Sequence, residues 1–262
     1  MPYLNHSNCN IFYEVTGESG EWVTLINGHT RTHTDFRMFA KKLNQQGFRC
    51  LLFDNRGAGK TTCQADFSLV DISDDIIELW NHLGIPTSHI IGISMGGIIA
   101  QLHTIRYPKR ILSLTLISTT SSRNWIYDVG NQPWVADELA VYQRMSHYFA
   151  PRFLEKNELL VRGMCKQIAK GLEDSKLQEG YKRQKEAMRS LNIEPDDYQI
   201  MAPTHIIHGK LDGIIDAKAA EETARRIPGS KLTLIEDVGH LLLAEWAKPL
   251  YEVSIDVLKQ QK

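Results

Sequence analysis

The stretch His89-Ile90-Ile91-Gly92-Ile93-Ser94-Met95-Gly96-Gly97 constrains the fold more than any other part of the chain. An apolar strand runs into Gly-x-Ser-x-Gly, and a helix-forming run follows at once. Small residues flank one serine on both sides. A sharp strand-to-helix turn needs them if the serine is to stand exposed at its tip. Ser94 is therefore a candidate nucleophile. The rival reading is an ordinary turn serine, and the pattern alone does not exclude it.

The rest of the chain repeats the strand-then-helix grammar. Trp22–Ile26, Arg49–Phe53, Ile111–Ile117, Thr204–Gly209 and Lys231–Ile235 are apolar without alternation, as strands buried on both faces are. Residues 3–16 predict two further short strands. Helical spacing predicts helices over Thr34–Gln46, Asp71–Leu83, Gly97–Tyr107 and Ala217–Arg226. A final helix carries Leu243, Trp246, Leu250, Val253 and Val257 on one face. Strands alternating with helices imply a mostly parallel sheet covered on both sides, with ligands beyond the carboxyl ends of the strands.

From Ser121 to Met201 the strand signal stops and helical spacing takes over, with Leu160, Met164, Ile168 and Leu172 on one stripe. This segment, 121–201, reads as a helical insertion over one end of the sheet. Residues 1–120 and 202–262 form the core domain. Trp125, Tyr127, Trp134, Tyr142, Tyr148 and Phe149 gather in the insertion. Most aromatics there are expected to pack on one another, with a minority lining a pocket.

A serine hydroxyl is a poor nucleophile at neutral pH and needs a base beside it and an orienting acid behind that base. Both must come from strand ends on one edge of the sheet. Asp212 follows the strand ending at Gly209, and His240 follows the last strand in Asp237-Val238-Gly239-His240. The chain order Ser94, Asp212, His240 is that of the α/β-hydrolase arrangement. Asp216 is the rival acid, read instead as a cap of the next helix. Asp237 reads as a solvated turn residue, and His208 as packed rather than catalytic.

At these residues the chain resembles the α/β-hydrolase family, in its compact, cap-bearing microbial serine hydrolase form. Asn27-Gly28-His29-Thr30 is similar to the family's His-Gly-x-Gly stretch, and Asp54-Asn55-Arg56-Gly57-Ala58-Gly59 to its Asp-x-Arg-Gly-x-Gly turn. Gly92–Gly96 resembles the nucleophile elbow. The resemblance implies an α/β fold with a mostly parallel eight-stranded sheet, helices on both faces, and a cap inserted after the sixth strand. It implies catalysis by Ser94, Asp212 and His240. It also implies an oxyanion hole from the backbone N–H groups of Met95 and His29. Asn27 departs from the family's usual histidine, which leaves the backbone donor intact and alters the pocket wall. Asn27, Trp125, Trp134, Met145 and Phe149 are the candidate substrate contacts, and the His29 side chain is an open one.

The expected activity is cofactor-independent cleavage of a small carboxylic ester, thioester or lactone, with no metal. Carbon–carbon bond hydrolysis, amide cleavage and acyl transfer use the same three residues, and some members of the family are small-molecule receptors. Gly57-Ala58-Gly59-Lys60-Thr61 lacks the first glycine of a phosphate loop at Phe53-Asp54. A net charge of −1 with no basic stripe argues against nucleic acid as a partner. No apolar run is long enough for a membrane span, and the amino-terminal residues lack the basic start and apolar stretch of a leader. The expectation is a cytoplasmic protein with a small-molecule substrate, a homodimer being allowed. The four cysteines lie far apart without metal-ligand spacing. Cys50 lies in an apparent buried strand and is expected to pack as a small hydrophobe and not in a disulfide, in a protein of a reducing compartment.

Overall fold

A computed structural model describes residues 2–127, 132–190 and 199–259. The structural statements below concern these residues, so parts of the 121–201 segment lie outside them. The strands are β1 (Tyr3–His6), β2 (Cys9–Thr16), β3 (Trp22–Ile26), β4 (Arg49–Phe53), β5 (Thr62–Cys63), β6 (Ser88–Ile93), β7 (Ile111–Ile117), β8 (Thr204–Gly209) and β9 (Lys231–Ile235). They join in the order β1-β2-β4-β3-β6-β7-β8-β9, with β5 beside β2. β1 and β2 are antiparallel additions, and the pairings from β4 to β9 are parallel. The expected eight-strand path is present, and the two-residue β5 is a ninth strand too short to read from spacing.

The parallel strands are buried on both faces because each side carries its own apolar layer. Trp22 and Ile26 of β3 and Ile90 of β6 face one layer, while Val23, Leu25, Ile91 and Ile93 face the other. Helices α2 (Leu69–Leu83) and α3 (Met95–Arg106) cover the first side. Helix α1 (Arg37–Asn44) and the carboxyl-terminal helix cover the second.

Local chemistry moves several boundaries. A 3-10 turn at His33–Phe36 precedes α1, so the expected Thr34–Gln46 helix is shorter. Helix α2 starts at Leu69, two residues before the expected Asp71. Ser68 Oγ accepts the Asp71 N–H and the Asp71 carboxylate accepts the Ser68 N–H, a capping box closed by aspartate in place of the usual glutamate. Helix α3 begins immediately after Ser94, at Met95.

Between β7 and β8 lie α4 (Glu138–Met145), α5 (Pro151–Gly171) and α6 (Ser175–Arg189), all helical as the sequence predicts. They share a small core that includes Val141, Met145, Phe149, Val161, Cys165 and Leu172. Of the predicted stripe, Leu172 is buried and Met164 and Ile168 pack partly buried against this core. Val161 and Cys165 are buried, whereas Leu160 is 57% exposed. After β8 come α7 (Lys218–Arg226), α8 (Leu242–Glu245) and α9 (Ala247–Lys259). The single final helix expected from spacing is two, broken at Trp246.

No helix is long and apolar enough to cross a membrane among the described residues. Cys50 and Cys165 are buried thiols, and burial pushes Cys50 up to about 12. Cys9 and Cys63 form a disulfide, a pairing that their sequence positions do not point to. The reason is register: the antiparallel β2–β5 pairing sets Cys9 opposite Cys63 although 54 residues separate them. A cross-link closing a loop of that length stabilises by up to about 4 kcal/mol on the chain-entropy account. Reduction, or Cys9→Ser, is expected to lower the urea midpoint accordingly. An unchanged midpoint after reduction means the bond does not form in solution.

Candidate active site

The geometry starts at the end of β6. Ser94 has φ +54° and ψ −122°, a conformation an L-residue holds only when its surroundings impose it. Its N–H donates to Ile117 O at 2.9 Å, and its carbonyl accepts the Gly97 N–H at 2.9 Å and the Thr119 hydroxyl at 2.7 Å. The small residues around it are required by contact. A Cβ on Gly96 would lie 2.1 Å from Ile26 O, and one on Gly92 2.4 Å from Gly96 O. Strand β6, the elbow and helix α3 therefore cross at backbone distance.

The structure brings Ser94, His240 and Asp212 into one hydrogen-bonded chain. His240 Nε2 lies 3.1 Å from Ser94 Oγ, and His240 Nδ1 lies 2.7 Å from Asp212 Oδ2. Asp212 is fully enclosed, and its Oδ1 accepts the N–H groups of Ile214 at 2.8 Å and Ile215 at 2.9 Å. Burial pushes its carboxyl upward, but His240 and His208 outweigh burial and hold it well below the usual carboxylate range. Asp216 stays apart. Its Oδ1 accepts the Lys218 N–H at 2.9 Å, as a helix-capping group does, and its Oδ2 accepts the Tyr127 hydroxyl. Asp237 is exposed, as expected of a turn residue.

His208 does more than pack. Its Nε2 lies 3.1 Å from Asp212 Oδ2, the oxygen that His240 also meets, and 3.1 Å from Ile215 O, so it braces the acid. The spacing His208–Asp212 at a strand end was the available signal. Tyr148 also enters the site unforeseen. Its carbonyl accepts the His240 N–H at 2.8 Å, and its ring meets the His240 ring edge-on at 5.4 Å. The loop bearing the histidine is tied to the insertion a second way. Glu245 accepts the Gly239 N–H at 3.1 Å and the Ala150 N–H at 2.9 Å.

Across from the histidine, Gly28 lies against the serine: a Cβ there would be 3.2 Å from Ser94 Cβ. Asn27 turns the loop, its carbonyl accepting from Asn55 Nδ2 at 2.9 Å and its amide donating to Thr32 O at 2.5 Å. His29 follows Gly28 in this loop. Met95 is the first residue of α3, whose amino-terminal end carries the positive end of the helix dipole. The His29 side chain faces the insertion, with Nε2 2.9 Å from Tyr181 O. Burial lowers it to about 4 against the opposing effect of that hydrogen bond, with Arg144 and Lys185 lowering it further, so the ring is neutral at pH 7.

A cavity of about 800 Å3 lies between the serine and the insertion. Asn27, His29, Ser94, Met95, Trp134, Met145 and His240 all line it. Trp125 and Phe149, two candidate substrate contacts, do not. Trp125 packs beside Ile214 and Ile215 and donates to Glu222, and Phe149 is 2% exposed and stacks on Phe153 in the small core. Among the described residues no cluster of histidine, cysteine or carboxylate groups could hold a metal ion.

A hydrogen-bonded serine, aspartate and histidine beyond the ends of β6, β8 and β9 of a parallel sheet define a hydrolase-like site. Residues 21–245 match the family described as alpha/beta hydrolase fold, and the chain belongs to that family. It is 25% identical over 203 residues to 3-oxoadipate enol-lactonase 2 of Acinetobacter baylyi, covering 73% of this chain and 72% of that protein. Its fold superposes on a meta-cleavage product hydrolase from Pseudomonas fluorescens with a TM-score of 0.88. That pair is 18% identical, covering 100% of this chain and 98% of the other. An enol-lactonase from Burkholderia xenovorans gives a TM-score of 0.84 at 20% identity, covering 98% of this chain and all of that one. With the family and these relatives, the protein is a hydrolase.

The elbow contacts make a direct prediction. In Gly96→Ala the added methyl meets two backbone carbonyls that cannot step aside, Ile26 O and Asn27 O. The substitution is expected to destabilise by more than about 3 kcal/mol, in the range of severe overpacking. Chemical denaturation measures it, and a wild-type midpoint would show that the elbow has slack.

Proposed function

We propose that the protein is a cofactor-independent serine hydrolase that cleaves a small carboxylic ester, thioester or lactone. The observation that carries this is the relay from Ser94 Oγ through His240 to the buried Asp212, at 3.1 and 2.7 Å. His240 Nε2 takes the Ser94 proton as Oγ attacks the carbonyl carbon. The tetrahedral oxyanion is held by the N–H groups of Met95 and His29. His240 then gives its proton to the departing alcohol, thiol or lactone oxygen. A water, deprotonated by His240, attacks the acyl-enzyme, and Ser94 leaves with the proton returned. Asp212, held as a carboxylate, keeps the proton on Nδ1 and stabilises the imidazolium that forms at each step.

Ser94→Ala is expected to remove turnover of short p-nitrophenyl esters, and Asp212→Asn to lower kcat on the order of 10³–10⁴-fold. Labelling by a fluorophosphonate probe checks the same assignment: it should be complete in the wild type and absent in Ser94→Ala. Wild-type turnover in purified Ser94→Ala sinks the reading.

The cavity also favours one class of acyl group. Its wall carries Arg31, Lys185 and Arg189 against the single carboxylate of Asp35. Arg31 is paired with Asp35 and Arg189 with Glu186, whereas Lys185 has no carboxylate partner among the described residues. An acid moiety bearing its own carboxylate supplies that partner. The name of the Acinetobacter relative is consistent with this, a lactone of a dicarboxylate. Mono-p-nitrophenyl glutarate is expected to exceed p-nitrophenyl pentanoate in kcat/KM by on the order of tenfold. Lys185→Glu should reverse the order. Equal rates for the two esters would discard the anionic acyl group and leave the hydrolase assignment standing.

A further inference from the structure

Helix α6 of the insertion reaches past the cavity and grips the loop that carries the His29 N–H. Three contacts make the grip. Gln184, 0% exposed, accepts the Thr30 N–H on Oε1 at 2.8 Å and donates from Nε2 to Arg56 O at 2.8 Å. One turn earlier, Tyr181 O meets His29 Nε2 at 2.9 Å. At Gly180 the helix touches the Arg56-Gly57 turn backbone to backbone: a Cβ there would lie 2.3 Å from Gly57 O.

The loop needs holding. Thr30 has φ +67°, a left-handed conformation that a β-branched residue seldom adopts on its own. Around the His29 Cα, the side chain is fixed by Tyr181 O and the following peptide by Gln184. The preceding peptide, which bears the His29 N–H, begins at Gly28, where a Cβ would lie 3.2 Å from Ser94 Cβ. Fixing two of the three groups on one Cα fixes the direction of the third. The neutral imidazole makes this bond as the tautomer that carries the proton on Nε2 and donates it to the carbonyl.

Resting on the serine hydrolase reading above, we propose that Gln184 is a positioning residue that sets the His29 amide for the developing oxyanion. The insertion then completes the reaction centre as well as roofing it. A side-chain amide performs both halves of the bridge uncharged at any pH: one oxygen accepts from Thr30, and one nitrogen donates to Arg56 O. Leucine leaves both backbone groups buried and unpaired. A carboxylate keeps the first bond and loses the second. A protonated carboxyl restores both.

The experiment compares wild type, Gln184→Leu and Gln184→Glu on one short neutral ester from pH 5 to 9. Gln184→Leu is expected to lose about 10–100-fold in kcat, less than outright removal of an oxyanion donor, with KM within about threefold. The ratio of Gln184→Glu to wild-type kcat is expected to rise as pH falls and the glutamate takes a proton. Circular dichroism and melting curves at each pH accompany the rates. An unchanged kcat in Gln184→Leu, a loss confined to KM, or a flat pH ratio overturns the proposal. So does loss of the folded state in both variants, which assigns Gln184 to folding alone. The hydrolase reading fails separately, and takes this proposal with it, if the wild type neither turns over esters nor labels at Ser94.

Discussion

Gly92 at the end of β6 lies under the carbonyl of Gly96, and Gly96 lies against the carbonyls of Ile26 and Asn27. These contacts leave no room for a side chain on either glycine. They force β6, α3 and the end of β3 to cross at backbone distance, with Ser94 left in a left-handed turn between them. A residue so strained persists only where the surroundings over-determine it. Here they do, through the Ile117, Gly97 and Thr119 hydrogen bonds. β3 and β6 are neighbours in the sheet, so the loop that follows β3 and the first turn of α3 both lie beside Ser94.

Asp212 is the second fixed point. Its carboxylate sits fully enclosed; burial pushes its pKa up, His240 and His208 outweigh burial and hold it low, and two backbone N–H groups bond its other oxygen. Taking a carboxylate out of water is costly, and a single partner rarely offsets it. Four donors do. His208 is therefore a part of the acid's environment, and its position four residues before Asp212 follows from the strand ending at Gly209.

The core and the hydrogen-bonded relay were legible because they rest on short-range rules. Apolar strands announce a parallel sheet, and Gly-x-Ser-x-Gly announces a turn of one shape. Asp212 and His240 each follow a strand on the same edge. What escaped depends on long-range register. Cys9 and Cys63 meet only because a two-residue strand pairs with β2. Leu160 reads as part of an apolar stripe, yet Val161 takes the buried place, and nothing in the local pattern states which way the helix rolls. Trp125 and Phe149 read as pocket residues by aromaticity alone, and aromatic rings serve a small core equally well. Gln184 sits in a helix dense with charge and has no local mark; its meaning comes from Thr30, 154 residues away.

The insertion thus touches both sides of the serine. On one side Tyr148 and Ala150 hold the His240 loop, through the His240 N–H and the Glu245 bridge. On the other, Gln184 and Tyr181 hold the His29 loop. Each contact uses a backbone group of the insertion or a buried amide, so each depends on where the helices sit more than on which side chains they expose. Replacing exposed residues of α5 and α6 leaves these contacts in place, while a shift of one helix by a fraction of a turn breaks several at once. The helices accordingly meet the pocket in two separable ways: side chains such as Met164 and Lys185 line the cavity, and backbone groups with the buried Gln184 dock the His240 and His29 loops.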